Sequence, residues 1–154
     1  MTTNDRTGTS DGGKTARTAA MAVGAVFLLV GVLGFVPGIT SNYDSLEFAG
    51  HESGALLLGL FQVSILHNIV HLLFGVAGLA LGRKTSTAVT YLIAGGAVYL
   101  VLWVYGLVIG HDTSANFVPL NTADNWLHFV LGIAMIGLGL LGRKKAETNQ
   151  PQYA

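Results

Sequence analysis

Apolar residues gather in four long runs, at about residues 19–36, 65–82, 88–109 and 122–141, separated by polar segments or segments bearing glycine and proline. Each run is close to the roughly 20 residues an α-helix needs to cross the hydrocarbon of a bilayer. The pattern predicts an all-α fold, a bundle of four transmembrane helices in a membrane domain covering residues 16–145. Residues 1–15 (MTTNDRTGTSDGGKT) have no apolar periodicity and are expected to form a disordered tail, and residues 146–154 a second tail. After Phe35 the chain reads Val-Pro-Gly-Ile-Thr. No small-x-small cleavage site follows the first run, so it is expected to stay in the protein as a helix.

The runs repeat one another. Gly24-Ala25-Val26-Phe27-Leu28 corresponds to Gly96-Ala97-Val98-Tyr99-Leu100, and Gly34 and Gly38 correspond to Gly106 and Gly110, all at an offset of 72. In the second helix of each pair, Ser64, Asn68, His71 and Gly75 correspond to Asn121, Asn125, His128 and Gly132, at an offset of 57. The chain therefore reads as two helical-hairpin repeats, and because both start on the same side of the membrane they are parallel copies about an axis along its normal. The repeat moves one boundary. Residues 55–63 (ALLLGLFQV) are apolar enough to extend the second helix, yet their counterparts surround Pro119, which interrupts helices. They are assigned to the outer loop, giving outer loops at 37–64 and 110–121. Ser64 and Asn121 become N-caps, and Asp124 stands where it completes a capping box.

Composition agrees with a lipid environment. The chain is 51% hydrophobic and only 10% charged, has 21 glycines and no cysteine, and has a mean hydropathy of +0.58. Ordinary globular domains are about a quarter charged. The net charge of zero hides a segregation. Arg6, Lys14, Arg17, Arg83, Lys84, Arg143, Lys144 and Lys145 fall on one side of the alternating topology, whereas Asp44, Glu47, Glu52, Asp112 and Asp124 fall on the other. The positive-inside rule places both termini in the cytoplasm. The basic residues serve as topology signals beside the lipid bilayer, and their spread over three segments argues against nucleic-acid binding.

Candidate chemistry lies on the helix stripes. Asn68, His71, Gly75, Gly78 and Gly82 share one face of the second helix, and Asn125, His128, Gly132, Met135 and Gly139 one face of the fourth. Helices one and three carry the seams Gly24, Phe27, Gly31, Gly34, Gly38 and Gly96, Tyr99, Trp103, Gly106, Gly110. Small residues permit close packing in lipid, while polar groups there are costly and turn inward. Asn68, His71, Asn125 and His128 are therefore expected to converge in the outer half of the bundle. The positive ends of the helix dipoles beside them favour neutral imidazoles.

Three functional readings stay open. The first is a structural or accessory protein without enzymatic activity, in which the Asn/His group is a polar network fixing the helices. The second is a redox protein. No cofactor is predicted outright, but His71 and His128 have the residue type to ligate haem, and His67, His71, His128 and Asp124 the types to ligate a metal ion. The third is a small transporter or ligand-binding subunit, motivated by Gly31 facing Trp103 across the repeat, an imbalance that suggests a pocket. With four spans and no intramembrane carboxylate for ion coupling, a transporter would need a homo-oligomer or a larger membrane complex. P-loop, HExxH and nucleophile-elbow patterns are absent from the sequence. His51 and His111 read as ordinary loop histidines.

The strings HNIVHLLFGVAGLALG, GGAVYLVLWVYGLVIG and ANFVPLNTADNWLHFVLG resemble the actinobacterial membrane-protein family catalogued as domain of unknown function 4383. The resemblance covers nearly the whole hydrophobic region. It implies a bacterial plasma-membrane protein of four helices with no established activity, and makes Asn68-x-x-His71 and Asn125-Trp126-x-His128 family features.

Overall fold

A computed structural model describes residues 11–148, and residues 1–10 and 149–154, which hold most of the two expected tails, lie outside the described residues. The fold is all-helical apart from a small loop sheet. Its helices are α1 (Asp11–Leu33), α2 (Ile65–Leu81), α3 (Thr85–Val108) and α4 (Thr122–Thr148). Segments Gly12–Leu33, Thr85–Val108 and Thr122–Arg143 are long and apolar enough to cross a membrane. α2 is shorter, at 17 residues, or about 25 Å at 1.5 Å per residue. Its length is set at both ends: Ser64 caps its start, and the chain turns at Gly82, before Arg83 and Lys84.

The helices pack mainly as α1 on α2 and α3 on α4, with α1 also lying against α4 and α3. Glycine governs both close pairs. A Cβ on Gly24 would stand 2.8 Å from the Gly75 carbonyl oxygen, and one on Gly96 would stand 2.8 Å from that of Gly132. Such approach lets backbones make the van der Waals contacts that hold helices together where water exclusion supplies no force. Phe27, Tyr91, Leu92, Tyr99 and Met135 form the main buried cluster between the helices. Val26, Leu29, Leu73, Val101, Val104 and Ile133 are half exposed or more. Such an apolar belt is what a bilayer would cover, and together with the three long apolar helices it marks a membrane protein.

Three expectations are corrected. Residues 11–15, read as disordered tail, are the first turn of α1. Glycine-rich sequence is a poor helix former, but Ala16 is fully buried and packs on α4, where a Cβ on Gly142 would come within 2.6 Å of the Ala16 Cβ. Tertiary contact thus holds the added turn of α1, and the α4 backbone continues past residue 145 to Thr148. Gly38 and Gly110 are not on helical seams, because α1 ends at Leu33 and α3 at Val108. Gly38 has φ +92 in a turn, and Thr40 Oγ1 donates a 3.0 Å hydrogen bond to the Leu33 carbonyl, covering the open end of α1.

The first outer loop is ordered. Strands β1 (Thr40–Ser41), β2 (Leu56–Leu57) and β3 (Phe61–Gln62) form an antiparallel meander in the order β1-β2-β3. Residues 55–63 therefore lie in this loop and not on α2. Ser53 is buried at its centre and donates a hydrogen bond of 2.5 Å to the Val63 carbonyl. In the second outer loop the Asn116 carboxamide donates to the carbonyls of His111 and Leu120, each at 3.0 Å, and accepts from the Leu120 N–H at 3.1 Å.

Candidate functional site

The histidines are placed by two helix starts. Ser64 Oγ accepts from the His67 N–H at 3.1 Å and caps α2. At α4, Asn121 Oδ1 accepts from the Asp124 N–H at 3.0 Å while Asp124 Oδ2 accepts from the Asn121 N–H at 3.1 Å, a reciprocal capping box. The same Asp124 oxygen accepts from the Gln62 N–H at 3.0 Å. Asn121 Nδ2 also donates to the Leu60 carbonyl at 2.8 Å, so the cap of α4 holds the tip of the first outer loop over the bundle.

One turn inward, the imidazoles converge. Ring centroids of His67 and His71 are 4.4 Å apart, and those of His67 and His128 are 6.4 Å apart. Phe27 and Tyr99 close the circle: Phe27 stacks on His71 at 5.5 Å and on Tyr99 at 5.5 Å, and Tyr99 lies 5.1 Å from His128. His67 and His128 are buried. Nδ1 of His67, His71 and His128 is buried without a hydrogen-bond partner among the described residues.

The asparagines do not join this group. Asn68 is fully buried with neither its carboxamide oxygen nor its nitrogen bonded among the described residues, and a Cβ on Gly34 would overlap its carboxamide. Asn125 occupies the matching position against Gly106. Its Nδ2 lies 3.5 Å from His111 Nε2, which is itself 3.1 Å from the Gly106 carbonyl. His111, read from the sequence as an ordinary loop residue, thus touches the site's edge. A loop histidine separated from its partner by 14 residues leaves no periodic signal in the chain.

Gly31 and Trp103 do not open a pocket between them. Gly31 is closed by Leu72, whose side chain would lie 2.9 Å from a Cβ there, and Trp103 packs on Phe129 at 4.7 Å between centroids. The open space lies elsewhere. A cavity of about 430 Å³ sits between α1 and α4 beneath Leu57, Leu58 and Phe61, with His67, His71, Asp124 and His128 as its polar lining. A smaller cavity of about 250 Å³ lies between α2 and α3 beneath Phe117, Val118 and Pro119, and it too reaches His67, His71 and His128.

Residues 17–141 match a family described as Domain of unknown function (DUF4383). The chain belongs to that family. No curated protein and no solved structure matches it. The DUF4383 segment starts at Arg17 and ends at Leu141, so it contains both cavities and every candidate residue.

The chemistry open to this DUF4383 site follows from its atoms. Among the described residues no lysine or arginine lines either cavity. Neutral imidazoles donate and accept hydrogen bonds, and a buried polar group without a partner costs about 1–3 kcal/mol. Among the described residues no group of three or more His, Asp or Glu side chains is arranged to share a metal ion. A macrocycle held between His71 and His128 would have to displace Phe27 and Tyr99, whose rings link them.

Proposed function

We propose that this protein is a membrane-embedded binding protein for an uncharged, lipid-soluble molecule carrying a hydroxyl or carbonyl head, held in the outer-half cavity between α1 and α4. The observation that carries this reading is the convergence on one cavity of three imidazoles whose Nδ1 atoms are buried and unbonded, in walls that are apolar apart from these rings and Asp124. About 430 Å³ lies within the usual size of small-molecule sites. Val26 and Leu58, both more than half exposed, stand at its margin, which suits entry from the surrounding lipid. An anionic head would find no basic side chain, and one Asp124 oxygen is already taken by two backbone N–H groups. In this reading all four helices span the plasma membrane as two parallel hairpin repeats with both termini cytoplasmic. The site then lies at the outer leaflet, and the protein acts as an accessory or carrier subunit.

The test is a thermal-unfolding series on detergent-purified protein. Farnesol and decylubiquinone serve as uncharged probes with hydroxyl and carbonyl heads, and palmitate serves as a charged control. A probe at 100 times its dissociation constant stabilises a folded protein by about 2.7 kcal/mol. At least one uncharged probe is expected to raise the melting temperature while palmitate does not, and the double substitution His71→Leu, His128→Leu is expected to abolish the rise. Failure of both uncharged probes, or equal stabilisation by palmitate, contradicts the reading.

A further inference from the structure

The 250 Å³ cavity between α2 and α3 has no role in the reading above. Much of its wall repeats that of the larger cavity at equivalent positions. Val98, Tyr99 and Leu102 of α3 stand 72 residues after Val26, Phe27 and Val30 of α1. On the facing helix, Val70 and His71 of α2 stand 57 residues before Leu127 and His128 of α4. The roofs correspond too, since Val118 of the second outer loop stands 57 residues after Phe61 of the first. Two gaps of the bundle thus present one arrangement, an aliphatic mouth leading past an aromatic ring to a histidine.

We infer that the cavity between α2 and α3 is a second binding site, for the same class of uncharged, lipid-soluble molecule, so that one chain binds two. The inference rests on the reading of the first cavity. Two features give the second site its own support. His67 and His128, each more than nine-tenths buried, line it, and the Nδ1 of each is buried without a hydrogen-bond partner among the described residues. Position 67, the repeat counterpart of Asp124, is a histidine, so this cavity contains no carboxylate. Valines more than two-fifths exposed, Val70 and Val98, stand at its mouth as Val26 does at the first. His67, His71 and His128 border both cavities, so the two heads meet at shared imidazoles.

The experiment is native mass spectrometry of the full chain released from nanodiscs with farnesol as probe. Wild-type chain is expected to carry two farnesol molecules. Val26→Trp plugs the first mouth and Val98→Trp the second, and each is expected to carry one, while the double variant carries none. The molecule retained by each single variant shows that it is folded, and Val98→Phe is the smaller plug if the tryptophan variant does not fold. A wild-type chain carrying one molecule that Val26→Trp removes and Val98→Trp leaves in place overturns the second site while sparing the first. Two bound molecules unaffected by Val98→Trp and Val98→Phe also overturn it. No bound farnesol on any chain overturns both readings.

Discussion

Gly34 and Asn68 show how one missing side chain sets the interior. The Asn68 carboxamide occupies the space a Cβ on Gly34 would need, and Asn125 does the same against Gly106. In each case the neighbour is a buried side chain in a packed core, where added methyl groups typically cost about 1–3 kcal/mol. Gly34→Ala and Gly106→Ala are each expected to lower stability by that amount in denaturation of the detergent-purified protein, whereas Gly137→Ala, inside α4 with open space around it, is expected to cost nothing and to gain up to about 1 kcal/mol. The histidines should behave oppositely. Their Nδ1 atoms bond nothing among the described residues, so His71→Leu and His128→Leu should leave the ligand-stripped protein as stable as wild type or more so. A loss of about 1–3 kcal/mol in either would indicate the structural network instead. The sequence stripe grouped Asn with His because i and i+3 share a face, but they differ by roughly 60° around the helix. That angle sends His71 and His128 into the cavities and the asparagines against the glycines of the neighbouring helix, a division only the close packing of the two pairs determines.

The helix starts were legible because capping is local: Ser64, Asn121 and Asp124 stand at fixed spacings from the runs they cap. What spacing did not reveal is that Asp124 also accepts from Gln62, 62 residues away. Ser64→Ala should cost about 1 kcal/mol, the usual loss of an N-cap. Asp124→Ala should cost more, since it leaves the N–H groups of both Asn121 and Gln62 unpaired, and Asp124→Asn should recover part of the difference, all measured by thermal unfolding in one detergent. Equal losses for Ser64→Ala and Asp124→Ala would show that the Gln62 bond contributes nothing. The extra N-terminal turn of α1 was not legible for the complementary reason. Gly12 and Gly13 weaken helix locally, and the contact of Ala16 with Gly142 that secures the turn joins opposite ends of the chain.

Across the whole molecule, the length and spacing of the apolar runs carried the helical architecture. Apolar runs predicted four helices, and the described residues hold four α-helices, three of them of membrane-spanning length. Orientation rests on the sorting of charge and is directly testable, because the chain has no cysteine and any introduced thiol is the sole label. Glu52→Cys and Asp112→Cys are expected to react with a membrane-impermeant maleimide in intact cells, and Ser86→Cys only after permeabilisation. Labelling of Ser86→Cys in intact cells would invert the topology and move the histidines to the inner leaflet. The cavities were not legible, since the Gly31 and Trp103 imbalance that suggested one is absorbed by Leu72 and Phe129, while the open space arises between helix pairs.

The central claim, that the unbonded imidazoles await a lipid-soluble partner, is tested most directly by an experimental structure of the protein in nanodiscs formed with farnesol. The account predicts non-protein density in the cavity between α1 and α4, within hydrogen-bond distance of His67, His71 or His128. A cavity without such density, with the histidine ring nitrogens bonded to protein groups instead, would contradict it.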